Sequence, residues 1–167
     1  MTPSLIFIHY LKRLDKLLVK VSDFYASEEL LHARLSGDMF PLAQQAKVAI
    51  GFSLRTCCPL AGIDIISYEE EGNSLQQLRT QIAKTIDYLH SIPQANFENY
   101  AEREINTRAG FADHTMDGNT YFLMYALPNF FFHFTSVYAI GRKHGVPLGK
   151  GDFDGFHSYP ENFSFQD

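Results

Sequence analysis

Leu127-Pro128-Asn129-Phe130-Phe131-Phe132-His133-Phe134, continued by Val137, Tyr138 and Ile140, is the stretch on which the fold turns. At helical spacing it sets large apolar side chains around the whole circumference, so a helix built from it must be buried on nearly every side. Such a helix starts near Thr120 and runs toward His144 and Gly145. It meets Pro128 on the way, whose missing N–H and bulky ring kink or restart it. A helix this apolar is either the central member of a bundle or presents one face to a second copy of the chain.

Working outward, three further segments carry the same 3.6-residue signature. Ser4 to Tyr25 places Ile8, Leu11, Leu14, Leu18 and Val21 on one stripe and Lys12, Lys16, Lys20 and Asp23 elsewhere. A second helix is expected from about Asp38, where Asp and Pro41 suit a first turn, to about Cys58, with Pro59, Ala61 and Gly62 as its stop. The third opens on Ser74 and Gln77, the pattern of a capping box, and spends Leu75, Leu78, Ile82, Ile86 and Leu89 on one face until Pro93. Between Phe97 and Asn119 the period changes, and Glu102 to Arg108 and Phe111 to Met116 flank Ala109-Gly110 in the manner of a short β-hairpin. The expected fold is therefore all-α, a four-helix bundle with a small hairpin inserted before the last helix. No repeat or break in composition divides it, so residues 1–155 read as one helical domain. Residues 156–167 read as an irregular tail whose Phe156, Tyr159, Phe163 and Phe165 dock on a surface.

Composition narrows the partners. At 167 residues and 46% hydrophobic, with 15 Phe and 9 Tyr, the chain has enough apolar surface for a core without disulfides. A net charge of −5 offers no broad basic surface, which argues against nucleic acid and anionic lipid and leaves small molecules or proteins. The two cysteines, Cys57 and Cys58, are adjacent and cannot build the bridges of a small secreted fold. The apolar run Leu5 to Ile8 has no basic segment before it and is soon followed by Lys12 and Arg13, unlike a signal peptide. No run of about 18 apolar residues is present, so no membrane span is expected. A reducing, cytoplasmic setting fits these features.

Seven histidines are the first place to seek chemistry, but none has another His four residues away. His133 stands out because it lies inside the most apolar stretch, where an unpartnered imidazole forfeits about 1–3 kcal/mol. Something polar must meet it. Asn129 lies one turn before it and Ser136 about one turn after, while Asp38 and Gln45 share a stripe on the expected second helix. A polar cluster between two helices follows. It either fixes helix register or forms a ligand pocket of Asn129, His133, Asp38 and Gln45. The glycines around Lys150 do not make a phosphate loop: three residues separate Gly145 from Gly149, and Gly151 stands where a Ser or Thr would hold magnesium. They read as a helix stop and a Pro147 turn, with Lys150 and Asp152 at the surface. Cys57 and Cys58 read as buried packing, and Glu69 to Glu71 as a solvated loop.

The run Leu127 to His133, with Gly145-Val146-Pro147-Leu148-Gly149-Lys150 and Asp152-Phe153, resembles an uncharacterised family, a domain of unknown function, within the DinB/YfiT-like superfamily. Ala33-Arg34-Leu35, Asp38, Met39, Pro41, Leu42, Gln45 and the run Ile82 to Ile86 are also similar to it, so the resemblance spans roughly residues 5 to 155. It implies a four-helix bundle with up-down-down-up connectivity, often a homodimer. Many relatives hold a divalent metal, zinc or nickel, through three histidines on the second and fourth helices, and some are thiol-dependent transferases. Here the second helix has no His, and Val137 follows His133 by one turn. One position of the histidine pattern survives, and a metal would be left to His133 and Asp38 with water completing an open position. Three functions follow as expectations: a bundle binding a small ligand or metal around His133, a metal-dependent transferase or hydrolase, or a non-catalytic protein that dimerises.

Overall fold

The first stripe read from the sequence is the buried face of a helix, α1 (Pro3–Phe24): Ile8, Leu11, Leu14, Leu18 and Val21 are all buried, together with Phe7 and Leu17. The computed structural model describes residues 1–25 and 28–160 of the chain. Helix α2 (Leu42–Leu60) starts later than expected. Pro41 holds an extended backbone at its N-cap, and the residue before a proline is driven out of the helical region, so the helix cannot reach back through Phe40. Asp38 consequently lies in the preceding turn and does not share a helical stripe with Gln45. At its other end α2 runs on through Pro59, and the chain leaves at Gly62 with φ 69°. Proline in that last turn has no N–H for the carbonyl of Arg55 four residues earlier. The hydroxyl of Tyr121 donates to that carbonyl instead, at 2.8 Å.

Helix α3 (Leu75–Ser91) starts as its sequence predicts. Ser74 Oγ accepts from Gln77 N at 3.2 Å and Gln77 Oε1 accepts from Ser74 N at 3.0 Å, the reciprocal bonds of a capping box. Leu78, Ile82 and Leu89 are its buried residues from the predicted face. Two short 3₁₀ turns then lead to the hairpin, β1 (Glu104–Ala109) paired antiparallel with β2 (Ala112–Asp117). Its register joins Ala109 to Ala112, so the turn is Gly110-Phe111, one residue beyond the expected position. Gly110, at φ 61°, occupies the first loop position, where a two-residue turn of the II′ kind needs glycine.

The Phe-rich helix is assembled in three parts. A single turn, α4 (Gly118–Thr120), is capped by Asp117, whose Oδ1 accepts from Thr120 N at 2.9 Å. A π-helical run follows over Tyr121–Ala126, and α5 (Leu127–Lys143) completes it. The widened turns sit immediately before Pro128, at the place where the proline ring would press on the carbonyl four residues back. Phe130, Phe134, Val137 and Ile140 are buried, but Phe131 is only partly so and Phe132 is 56% exposed. The expectation of burial on nearly every side therefore gives way to an amphipathic helix with one open apolar edge. Gly145, in the left-handed region at φ 83°, stops it. The short α6 (Lys150–Asp154) then folds back, with Phe153 against Phe134 at 4.7 Å between ring centroids.

The structure is mostly helical with one small antiparallel sheet. α2 packs most extensively on α5, α1 on α3, and α3 also on α2, while α6 lies against α1. Polar bonds tie the ends: Tyr25 Oη donates to His144 O at 2.9 Å, Leu75 N to Glu28 Oε1 at 3.0 Å, and Lys47 Nζ to Glu70 O at 2.9 Å. Cys57 and Cys58 are free thiols buried in the core, and burial pushes both thiols up from their ordinary value. Asp152 pairs with Lys20 at 2.7 Å and accepts from Gly149 N at 2.8 Å, which gives it a role in folding back α6. No helix among the described residues is long and apolar enough to cross a membrane. The tail residues Phe163 and Phe165 lie outside the described residues, whereas Phe156 stacks on His9 with 5.1 Å between centroids.

Candidate functional site

His133 projects from the middle of α5 toward the start of α2, and the polar group that meets it is Gln45. The two are joined by a 2.7 Å bond between His133 Nδ1 and Gln45 Oε1. Gln45 is 1% exposed, so both ends of its amide must be satisfied inside the protein. Its Nε2 donates to Phe40 O at 3.3 Å, which turns Oε1 toward the imidazole. An amide oxygen only accepts, so Nδ1 carries the proton and Nε2 of the neutral ring keeps its lone pair. Nε2 has no hydrogen-bond partner among the described residues.

Aromatic rings hold the imidazole in place. Phe52 lies 5.9 Å away and nearly parallel at 24°, Phe40 at 6.4 Å and 21°, and Phe132 meets it edge-on at 5.1 Å. Arg55, one turn along α2 from Phe52, sets its guanidinium 4.7 Å from the Phe52 ring centroid. Burial, and secondarily the positive charge of Arg55, holds the His133 pKa below the usual imidazole value. Both causes act against the imidazolium, so near pH 7 the ring is neutral and its open nitrogen is an acceptor or a base.

A depression of about 200 Å³ opens beside this ring, lined by Asp38, Met39, Phe40, Gln45, Phe132 and His133. Three of the four expected pocket residues are thus brought together. Asn129 is not among them: its Nδ2 donates to Tyr125 O at 2.7 Å, on its own helix. Because Pro128 disturbs the local backbone pairing, a side chain that returns to the preceding turn is useful there, and Asn129 is consumed by the helix. Ser136 is likewise turned inward on α5, donating to Phe132 O at 2.8 Å. Asp38 stands on the rim, where the hydroxyl of Ser36 holds its carboxyl below the usual range.

The donor set does not fit a resident divalent ion. Among the described residues His133 and Asp38 are the only His, Cys, Asp or Glu side chains lining the depression, and an open zinc site takes three protein ligands. Among the described residues no group of three His, Cys, Asp or Glu side chains is placed to hold a metal. The residues that sequence reasoning passed over are Phe40, Phe52 and Arg55. A signal for the last existed, since Arg55 is the one charged residue between Ile50 and Leu60 of an otherwise apolar helix.

A family model described as "Domain of unknown function (DUF1993)" matches residues 4–154. The chain belongs to that family. Among solved structures, a DinB family member protein from Shewanella denitrificans is similar over 94% of this chain and 92% of that one, with 28% identity and a TM-score of 0.83. Among curated proteins none matches the chain significantly. The fold of this DUF1993 chain is thus DinB-like in shape, and its His133 sits in a setting of aromatic rings and one buried amide.

Proposed function

We propose that this DUF1993 chain binds a small, mainly apolar molecule carrying one N–H or O–H group in the depression beside His133. The observation that carries this reading is the buried Gln45–His133 bond at 2.7 Å, which leaves a neutral Nε2 free to accept. Phe40, Phe132 and Met39 supply the apolar wall. A metal-dependent transferase or hydrolase would take its nucleophile from a metal-bound water or thiol, and His133 and Asp38 are the side chains of the depression that could hold such a metal.

We read the connectivity as up-down-down-up. The bond of Tyr25 to His144 supports parallel first and last helices, that of Leu75 to Glu28 an antiparallel α1 and α3, and that of Tyr121 to Arg55 an antiparallel α2 and α5. A homodimer is the second reading. It is favoured by the exposed apolar edge of Leu35, Phe40 and Phe132, which a second copy would cover; light scattering on the purified chain checks it.

Phenol, a flat apolar ring with one O–H, is the probe for the depression. Titrated into ¹⁵N-labelled protein, it should shift the His133 ring nitrogens saturably, and Gln45→Leu should weaken that effect at least about ten-fold by releasing the ring tautomer. Shifts confined to other residues, or none, would remove the proposal. Stoichiometric zinc binding that moves Nε2, with phenol without effect, would replace it by a metal site on His133 and Asp38.

A further inference from the structure

A second cavity, of about 420 Å³, lies between α1 and α3 and shares no lining residue with the depression beside His133. Its size is within the range of small-molecule sites. Ile82, Ala83 and Ile86 of α3 form an apolar floor, and Lys12, Arg13, Lys16 and Arg79 surround it. Four cations around one cavity are unexpected on a chain of net charge −5. Among the described residues Asp15 is the only carboxylate lining it, and it is already committed to Arg79, through a 2.7 Å bond to Nε and a 3.3 Å bond to Nη2. Lys12, Arg13 and Lys16 have no ion-pair partner among the described residues.

Arg13 is the side chain of the cavity that most calls for an anionic partner. Its Nε is buried and has no acceptor among the described residues. A buried donor of this kind is costly unless an acceptor arrives, and an oxyanion makes the strongest bond to it. The guanidinium is also held in place: Gly155, at φ 79°, passes so close that a Cβ there would lie 2.9 Å from Arg13 Nη1. His9, one turn earlier, donates from Nε2 to Asp154 O at 2.7 Å and is covered by Phe156. The end of α6 therefore fixes this wall of the cavity before any ligand enters.

We propose that the α1/α3 cavity binds a phosphate monoester with a short apolar ester group, the phosphate held by Arg13, Lys12 and Lys16 and the ester group lying on Ile82, Ala83 and Ile86. Three uncompensated cations match a dianion better than a carboxylate, and the floor excludes a purely inorganic ion as the best occupant. This site is independent of the one beside His133.

Calorimetric titration with hexyl phosphate tests it, with inorganic phosphate, hexanol and phosphatidylglycerol vesicles as comparisons. Hexyl phosphate should bind saturably at one site, at least about ten-fold more tightly than inorganic phosphate, while hexanol should not bind, and raised salt should weaken the interaction. Lys12→Gln with Lys16→Gln, both exposed, should cost at least ten-fold in affinity without altering the circular dichroism, and Ala83→Trp should block the site. His133→Ala should leave it intact. Absence of saturable binding, equal affinity for inorganic phosphate, or indifference to both sets of variants would overturn the proposal. Association with vesicles alone would also overturn it and make this face a lipid-docking surface.

Discussion

Replacing Tyr121 by Phe should destabilise the protein through the carbonyl of Arg55. Tyr121 is 2% exposed and its hydroxyl donates to Arg55 O at 2.8 Å, in the place of the N–H that Pro59 lacks. The substitution keeps the ring and its packing, so what changes is one hydrogen bond and one helix carbonyl left unpaired. A partner removed in this way costs about 1–2 kcal/mol, within the range for an unsatisfied buried acceptor. For a chain of this size, roughly 1.5 kcal/mol corresponds to a melting temperature lower by about 3–6 °C. Urea unfolding followed by far-ultraviolet circular dichroism should show a lower midpoint at unchanged slope. The cycle with Pro59→Ala is the decisive arm. Alanine restores the backbone N–H to Arg55 O, so Tyr121→Phe should then cost less than about 0.5 kcal/mol. An equal loss in both backgrounds, or no loss with Pro59 in place, would refute the assignment. The same hydroxyl is held neutral by burial, its pKa pushed up to about 12. The stability it lends is therefore complete below the ordinary tyrosine value near 10 and is lost as pH rises from there through about 12.

Two further predictions follow from the site and its support. The His133 ring should titrate below the ordinary imidazole value, and Arg55→Gln should move it part of the way back, because burial, the larger cause, remains; nitrogen chemical shifts against pH read both. With a lowered folded pKa, His133 contributes stability above its unfolded value near 6.5, and that contribution fades as pH falls through the folded one. Gly118→Ala should cost about 2–3 kcal/mol, since a Cβ would lie 1.8 Å from Tyr100 O and 3.2 Å from Leu60 Cδ2, leaving backbone to move; a wild-type urea midpoint would contradict this packing.

Much of this protein could be read from local pattern alone. The buried stripes of α1 and α3, the capping box at Ser74 and Gln77, the stop at Gly145 and the hairpin depend on spacing and on the backbone limits of a few residues, which act within one or two turns. The need for a polar partner beside His133 was legible for the same reason, because its neighbours in sequence are nearly all apolar.

Which group met that need was decided in three dimensions. Gln45 is 88 residues from His133; the helical stripe that nominated it ran through Asp38, which lies outside the helix, and only the packing of α2 on α5 brings its amide to the imidazole. Asn129 stood at the right helical offset, yet Pro128 disturbed the turn before it and the side chain went to Tyr125 O. Asp38 left the helix because Pro41 allows no helical residue before it. The outward edge at Phe132 and the cationic cavity between α1 and α3 also appear only once helices are packed side by side. Spacing along a chain specifies what each helix must bury or satisfy. Packing decides which distant side chain answers, because a hydrogen bond or an ion pair depends on a few ångströms of separation that sequence distance does not encode.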